Sequence, residues 1–247
     1  MILLLGGTLD GRLAAVALAE KGRDVIYSSV SGYNAPKETE HLTCRAGALE
    51  ENALEALIRE QGISMLVDAT HPYAKAASMG AMTAAKNTGV RYVRLERPGI
   101  EGLGVPTDAV IHFESYEGVV DYLKYHPGNI LTTTGSRELV RYEALDKARI
   151  FVRVLPTSKV IAECEALGYK PSRIIAMQGP FSREMNVAMM HAFDIKYLTT
   201  KDSGDIGGVA EKISAAAECG VKVLCVDRPN LAYPEVCRTP EELVKLL

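Results

Sequence analysis

The chain has 247 residues, 47% hydrophobic and 24% charged, with a formal net charge of −3. That is enough apolar material for one large domain or two compact ones, and the slight acidity offers no global basic field to nucleic acid or an anionic membrane. The five cysteines, Cys44, Cys164, Cys219, Cys225 and Cys237, show no C-x-x-C spacing, which argues against a zinc site or a disulfide framework and for reduced, mostly buried thiols.

The opening run Met1 to Leu5 is too short for a signal sequence or a membrane span and reads as a buried first strand. No later stretch is long and apolar enough to span, so a cytoplasmic protein is expected. Further strands are predicted at Asp24–Tyr27, Leu42–Arg45, Met65–Val67 and Tyr92–Leu95, with helices at Asp10–Lys21, Glu50–Gln61 and Tyr73–Thr88 between them. In the last helix Ala74, Ala77, Ala81, Ala84 and Ala85 recur at helical spacing and allow close packing on a sheet. Gly22, Gly62 and Gly89 fall where helices end.

The periodicity lapses from Pro98 to Thr107, a linker, and then resumes. Strands are predicted at Ala109–Phe113, Asn129–Thr133, Ile150–Val154, Arg173–Ala176, Lys196–Leu198 and Val221–Val226. Helices are predicted at Glu117–Lys124, Ser158–Leu167, Arg183–Ala192, Gly208–Cys219 and Pro240–Leu247. The pattern describes an α/β protein of two Rossmann-like parallel-sheet domains, 1–98 and 99–247, with a cleft expected between the carboxyl edges of the sheets.

Polar motifs gather at those edges. Gly6-Gly7-Thr8-Leu9-Asp10-Gly11 follows the first strand and opens a helix, as a dinucleotide pyrophosphate requires, although the glycine spacing departs from G-x-G-x-x-G. The alternative is a tight turn that binds no nucleotide. The second strand ends in Ser28, Ser29 and Ser31 with no acid for a ribose 2′-hydroxyl, which favours NADPH, NADH remaining the alternative. Thr70, His71, Pro72 and Tyr73, after the fourth strand, are expected beside the nicotinamide half. Thr70 is an alternative helix cap, and His71 a candidate proton donor.

Arg97 follows the fifth strand and suits a carboxylate, unless it merely pairs with Glu96. In the second half, Thr134, Gly135, Ser136 and Arg137 lie between a strand and an expected helix and offer an anion-binding turn. Gln178 and Gly179 follow another strand. Lys201, Asp202, Ser203 and Gly204, with Gly207 and Gly208 after them, form a glycine-rich loop suited to binding carboxylate or relaying a proton, and Arg228 follows the last strand. Ordinary turn and capping chemistry is the competing account of each motif.

These motifs together resemble the precorrin-6A reductase family: Gly-Gly-Thr, Asp68-Ala-Thr-His-Pro-Tyr-Ala74, Leu95-Glu-Arg-Pro98, Thr133-Thr-Gly-Ser-Arg137, Arg153-Val-Leu-Pro156, Gln178-Gly-Pro-Phe-Ser182 and Lys201-Asp-Ser-Gly204, with Arg228-Pro229. They run in family order from residue 2 to about 229. The resemblance implies an oxidoreductase that reduces a macrocycle double bond of precorrin-6A, or of its cobalt-bearing form, during cobalamin biosynthesis, with hydride from NAD(P)H. Any cobalt would belong to the substrate, because no His/Cys cluster suggests a protein metal site. The expected partner is thus a small-molecule tetrapyrrole, not nucleic acid or membrane. Its carboxylates would meet Arg97, Arg137, Lys201 and Arg228, and Lys201, His71 or a water would supply the proton. Which substrate form is used, and the oligomeric state, stay open.

Two rivals stand beside this reading. A short-chain-type oxidoreductase would place Tyr-x-x-x-Lys on a helix; the spacing occurs at Tyr33/Lys37 and Tyr197/Lys201, in segments that do not read as helices. A non-catalytic dinucleotide sensor would leave the polar edge of the second half without a purpose.

Overall fold

In the computed structural model, residues 1–32, 35–204 and 208–246 are described; Tyr33 and Gly207 lie outside them. The chain divides into two units, Met1–Arg97 with Pro229–Leu247, and Pro98–Arg228.

The first unit holds a parallel sheet of β1 (Ile2–Leu5), β2 (Val25–Ser29), β3 (Leu42–Ala46), β4 (Met65–Asp68), β5 (Arg91–Leu95) and β12 (Val236–Cys237), in the order β3-β2-β1-β4-β5-β12. Both faces are covered, which is why β1 is apolar without alternation. Ile2 and Leu4 enter the core beneath α1 (Leu9–Glu20) and α8 (Pro240–Lys245), while Leu3 and Leu5 enter the one beneath α2 (Glu51–Glu60) and α3 (Lys75–Thr88). The buried face of α3 carries Ser78, Ala81, Ala84 and Ala85; Ala77, expected there, is exposed.

The second unit repeats the order with β6 (Val110–Phe113), β7 (Asn129–Thr132), β8 (Ile150–Val154), β9 (Ile174–Ala176), β10 (Ile195–Lys201) and β11 (Lys222–Val226), arranged β9-β8-β7-β10-β11-β6. Its helices are α4 (Tyr116–Lys124), α5 (Ser158–Ala166), α6 (Arg183–Ala192) and α7 (Val209–Cys219). In both units the chain builds outward on one side of a central strand, β1 or β7, and then on the other. That leaves a topological switch point between β1 and β4, and another between β7 and β10, where α/β proteins bind ligands.

The sixth place in each sheet corrects the sequence-based boundary, which put all of 99–247 in one domain. Pro229–Leu247 belong to the first unit, because β12 pairs in parallel with Arg94 and Leu95, and Cys237 and Leu243 enter that unit's core. Arg91 fastens the segment by donating from Nη2 and Nε to Glu235, at 2.6 and 2.9 Å, and from Nη1 to Leu246 O at 3.2 Å. A two-residue strand has no periodicity to read.

Candidate active site

At the first switch point the glycines are required by contacts. A Cβ on Gly6 would run into the ring of Tyr27, a β2 residue only 2% exposed. Gly7 has φ +110, a conformation L side chains rarely adopt, and its N–H donates to Tyr27 Oη at 2.9 Å. Gly11 lets α1 approach Ala69, whose Cβ would stand 3.0 Å from an added one. The turn therefore packs Gly6 on Tyr27 and leaves the Cβ position of Gly7 clear, opening a twelve-residue helix. Thr8 caps that helix by accepting from Gly11 N at 3.0 Å and donates to Ala69 O at 2.9 Å. Its hydroxyl is committed to tying the β1 turn to the β4 turn.

The β4 turn rests on a buried ion pair. Asp68 and Arg94 are both fully buried, with Nη1 to Oδ1 at 2.8 Å. Tyr92 Oη donates to Asp68 Oδ2 at 2.8 Å, and Thr70 donates to Oδ1 through its hydroxyl at 2.7 Å and its N–H at 3.0 Å. Burial pushes the Asp68 carboxyl up, but Arg94 and the bonds from Ser78 and Thr70 more than offset this and hold it below its usual range. Tyr233, from the segment that carries β12, stacks on Tyr92 and lies under the Arg94 guanidinium at 5.2 Å.

Thr70 is thus no helix cap. The α3 N-cap is Ala74, and helix begins at Lys75 rather than Tyr73, so buried Pro72 lies in the preceding turn. Exposed His71 accepts from Tyr73 N at 3.3 Å, and its ring lies 5.7 Å from that of Tyr73.

Arg45, at the end of β3, had no place among the candidates. It is half-buried and donates to Ser28 Oγ at 3.0 Å. Ser29 Oγ is buried with no hydrogen-bond partner among the described residues, and Ser31 is exposed beyond it. A cation thus joins the serine cluster that the sequence reading associated with a 2′-phosphate. The residue could have been found by asking what ends the third strand as well as the second.

In the second unit, Thr132 and Thr134 are bonded to each other at 3.0 Å, and Thr133 donates to Thr199 O at 2.9 Å, locking β7 to β10 at the switch point. Tyr142 Oη donates to Thr199 Oγ1 at 3.0 Å from below. Gly135, at φ +93, leads into a 3-10 stretch, Ser136–Tyr142, and not the expected α-helix. Lys201 closes β10 itself: its Nζ lies 3.1 Å from Glu138 Oε1 and 5.7 Å from the centre of the Tyr116 ring. Tyr197 shares that strand, which removes the Tyr197/Lys201 pair as a helical dyad; Tyr33 of the other pair lies outside the described residues.

The expected substrate cations are mostly matched to acids. Arg97 pairs with Asp10 at 2.6 Å, while Glu96 pairs with Arg94. Arg228 donates to Asp202 O at 2.9 Å, and its other arm to Pro98 O at 3.1 Å. Asp202 also accepts from Ile100 N at 3.1 Å, so this motif braces the start of the unit. Ser203 N donates to Lys201 O at 2.8 Å, and buried Gly204 has φ +69. Arg137 is exposed and forms no ion pair among the described residues, and Gln178 and Gly179 are exposed on the loop after β9. Two cations that form no ion pair among the described residues, Arg153 and Lys212, are instead buried. Among the described residues one trio of metal-ligand types, His112, Cys225 and Asp227, gathers within 4.8 Å; burial holds the Cys225 thiol protonated, and His112 is bonded to Asp227 at 2.6 Å.

Comparison with known proteins agrees over the full length. The profile of the family described as "Precorrin-6x reductase CbiJ/CobK" matches residues 1–247. A cobalt-precorrin-6A reductase of Priestia megaterium is 34% identical, over 100% of this chain and 98% of that protein. One of Methanocaldococcus jannaschii is 32% identical, over 100% and 97%, and a precorrin-6A reductase of Rhodobacter capsulatus 27%, over 97% and 92%. The solved structure of a CobK precorrin-6A reductase superposes with a TM-score of 0.81 at 23% identity, covering 99% of this chain and 94% of that one, which shows the shared fold. The chain therefore belongs to the precorrin-6x reductase family, oxidoreductases of cobalamin biosynthesis.

Proposed function

We propose that the chain reduces one double bond of cobalt-precorrin-6A with NADPH. The observation that carries this is the bare glycine turn at the first switch point, flanked by a serine cluster with its own arginine. The residues fit a nicotinamide dinucleotide: the place that a Gly7 side chain would fill lies open, and the buried Ser29 hydroxyl has no hydrogen-bond partner among the described residues. The first N–H groups of α1 would hold the pyrophosphate, with Gly6 and Gly7 giving the turn its close approach and Thr8 shaping it. Arg45, Ser28, Ser29 and Ser31 would hold the 2′-phosphate. Thr70, His71, Pro72 and Tyr73 would flank the nicotinamide. When bound, the cofactor supplies the hydride.

The carboxylated tetrapyrrole is assigned to the second unit, at Thr134, Gly135, Ser136, Arg137, Gln178, Gly179, Lys201, Asp202, Ser203, Gly204 and Arg228. Lys201 Nζ, steadied by Glu138, would deliver the proton, with His71 as the alternative donor. The cobalt form is favoured because the relatives at 34% and 32% identity are named for it, whereas two relatives named for precorrin-6A are at 27% and 29%. A cytoplasmic site is proposed because all five cysteines are free thiols, as a reducing compartment leaves them; among the described residues no helix is long and apolar enough to cross a membrane.

The test is anaerobic NADPH oxidation, followed by nicotinamide absorbance, with enzymatically made cobalt-precorrin-6A and precorrin-6A. Oxidation with a matching reduced tetrapyrrole, faster for the cobalt form, is expected. No oxidation with either by folded protein that binds NADPH would overturn the substrate assignment.

A further inference from the structure

Behind the exposed loop after β9 the second unit buries two positive side chains on one face of its sheet. Arg153, on β8, is 6% exposed, and Lys212, on α7, is 7% exposed. Neither lies within 4.0 Å of a carboxylate among the described residues, including Glu211 beside Lys212. Lys212 Nζ reaches only a neutral group, Thr200 Oγ1 at 3.4 Å. Arg153 Nη1 donates to the neutral amide oxygen of Asn186 at 2.7 Å and lies 3.6 Å from Met189 Sδ, while the guanidinium sits over the Phe181 ring at 4.2 Å. The same Asn186 amide donates to Ser182 O at 2.8 Å and to Phe181 O at 3.4 Å. One residue thus fixes the guanidinium and the loop above it together.

Burying two like charges side by side is unfavourable unless something negative joins them. Burial pushes the Lys212 amine down to about 7, and Arg153 pushes it the same way; Cys225 from β11 and Glu211 from α7 act weakly in the other direction. Burial brings Arg153 itself down to about 10. Thr200 from β10 is neutral, and α6 offers Arg153 the neutral Asn186. Arg153 lies under Phe181 of the loop that carries Gln178 and Gly179, and Lys212 in the first turns of α7, the helix that follows Lys201 to Gly204. Each keeps a few per cent of its surface exposed, so the pair is covered but not sealed.

We infer that Arg153 and Lys212 form a buried subsite for one carboxylate side chain of the tetrapyrrole substrate. This rests on the proposed function for the identity of the ligand and on the geometry for the site itself. The carboxylate supplies the missing negative charge, so its binding draws a proton onto Lys212.

The experiment follows the Lys212 amine by NMR of the full chain with isotope-labelled lysine, assigned with Lys212→Met, an apolar replacement of similar length. In the free protein the amine titrates near pH 7. Saturation with cobalt-precorrin-6A is expected to raise that midpoint by about one unit or more, and NADPH alone to leave it in place. Lys212→Met and Arg153→Met are each expected to weaken cobalt-precorrin-6A roughly 10- to 100-fold, with NADPH affinity unchanged, the usual weight of a hydrogen bond to a charged group. Sodium propionate, a carboxylate without the macrocycle, separates this inference from the function. A midpoint raised by propionate in the native chain but not in Arg153→Met upholds the subsite even if turnover fails. A midpoint moved by neither carboxylate probe, or moved by NADPH alone, overturns it even if turnover succeeds.

Discussion

The two units share one strand order and equip their switch points differently. In the first, the Gly6 to Thr8 turn presents bare backbone, and the charges beneath it are matched: Asp68 with Arg94, Asp10 with Arg97. In the second, a threonine lattice locks β7 to β10, Lys201 stands beside Glu138, and Arg153 and Lys212 are buried with no carboxylate within 4.0 Å among the described residues. A matched, rigid cradle suits a cofactor held by backbone N–H groups. A surplus of positive charge suits a ligand that brings its own carboxylates. The fold sets where ligands go, and the polar residues at that place set which ones.

The largest effect expected from breaking this contrast is at the matched pair. Asp68→Ala leaves Arg94 charged and alone in the core and should cost about 3–5 kcal/mol of stability, read as a fall in Tm and denaturant midpoint. Lys201→Ala removes a pair whose side chains are 19% and 21% exposed and should cost under about 1 kcal/mol. Equal losses would erase the distinction between the units. The Asp68 contribution also has a direction in pH. Its folded carboxyl titrates below the unfolded value of 3.8, so the stabilisation is complete above that value and is lost as pH falls through the lower folded one.

Gly6→Ala comes next. Its methyl group meets the buried Tyr27 ring, so the turn must shift, and NADPH affinity should fall more than about tenfold with a stability loss of about 1–3 kcal/mol. Isothermal calorimetry and melting would read both; an unaltered Kd would show that the turn does not touch the cofactor. Arg45→Ala should weaken NADPH roughly 10- to 100-fold and leave NADH unchanged. Equal effects on the two cofactors would remove Arg45 from the 2′-phosphate.

The buried Lys212 amine also shapes the pH profile of stability. The folded chain releases the Lys212 proton near pH 7 and the unfolded chain near 10.5. Between those values the unfolded state holds more protons, so this group makes stability rise with pH. Lys212→Met should flatten that rise in chemical denaturation measured from pH 7 to 10. A slope unchanged by the substitution would show that the buried amine is not shifted.

Much of the fold was legible because parallel strands covered on both faces become short apolar runs, and the helices between them carry a polar face. Ile2–Leu5, Ile150–Val154 and Arg183–Ala192 were bounded from periodicity alone. Val236–Cys237 was not, since its place depends on Arg94 and Leu95, far away in sequence. The edge motifs were legible as polar residues after apolar strands. Their bonding was not: that Arg97 meets Asp10 and Arg228 meets Asp202 is a matter of tertiary neighbours. Arg45 looked like the end of an ordinary strand. Arg153 lay inside an apolar run and Lys212 in an amphipathic helix, where a cation usually reaches solvent.

The central claim is a division of labour, the first unit for the cofactor and the second for the macrocycle. It is tested most directly by measuring NADPH and cobalt-precorrin-6A affinities side by side for Arg45→Ala and Lys201→Ala. The account predicts that Arg45→Ala weakens NADPH and spares the tetrapyrrole, while Lys201→Ala weakens the tetrapyrrole and leaves NADPH near normal. A collapse of NADPH affinity in Lys201→Ala would contradict it.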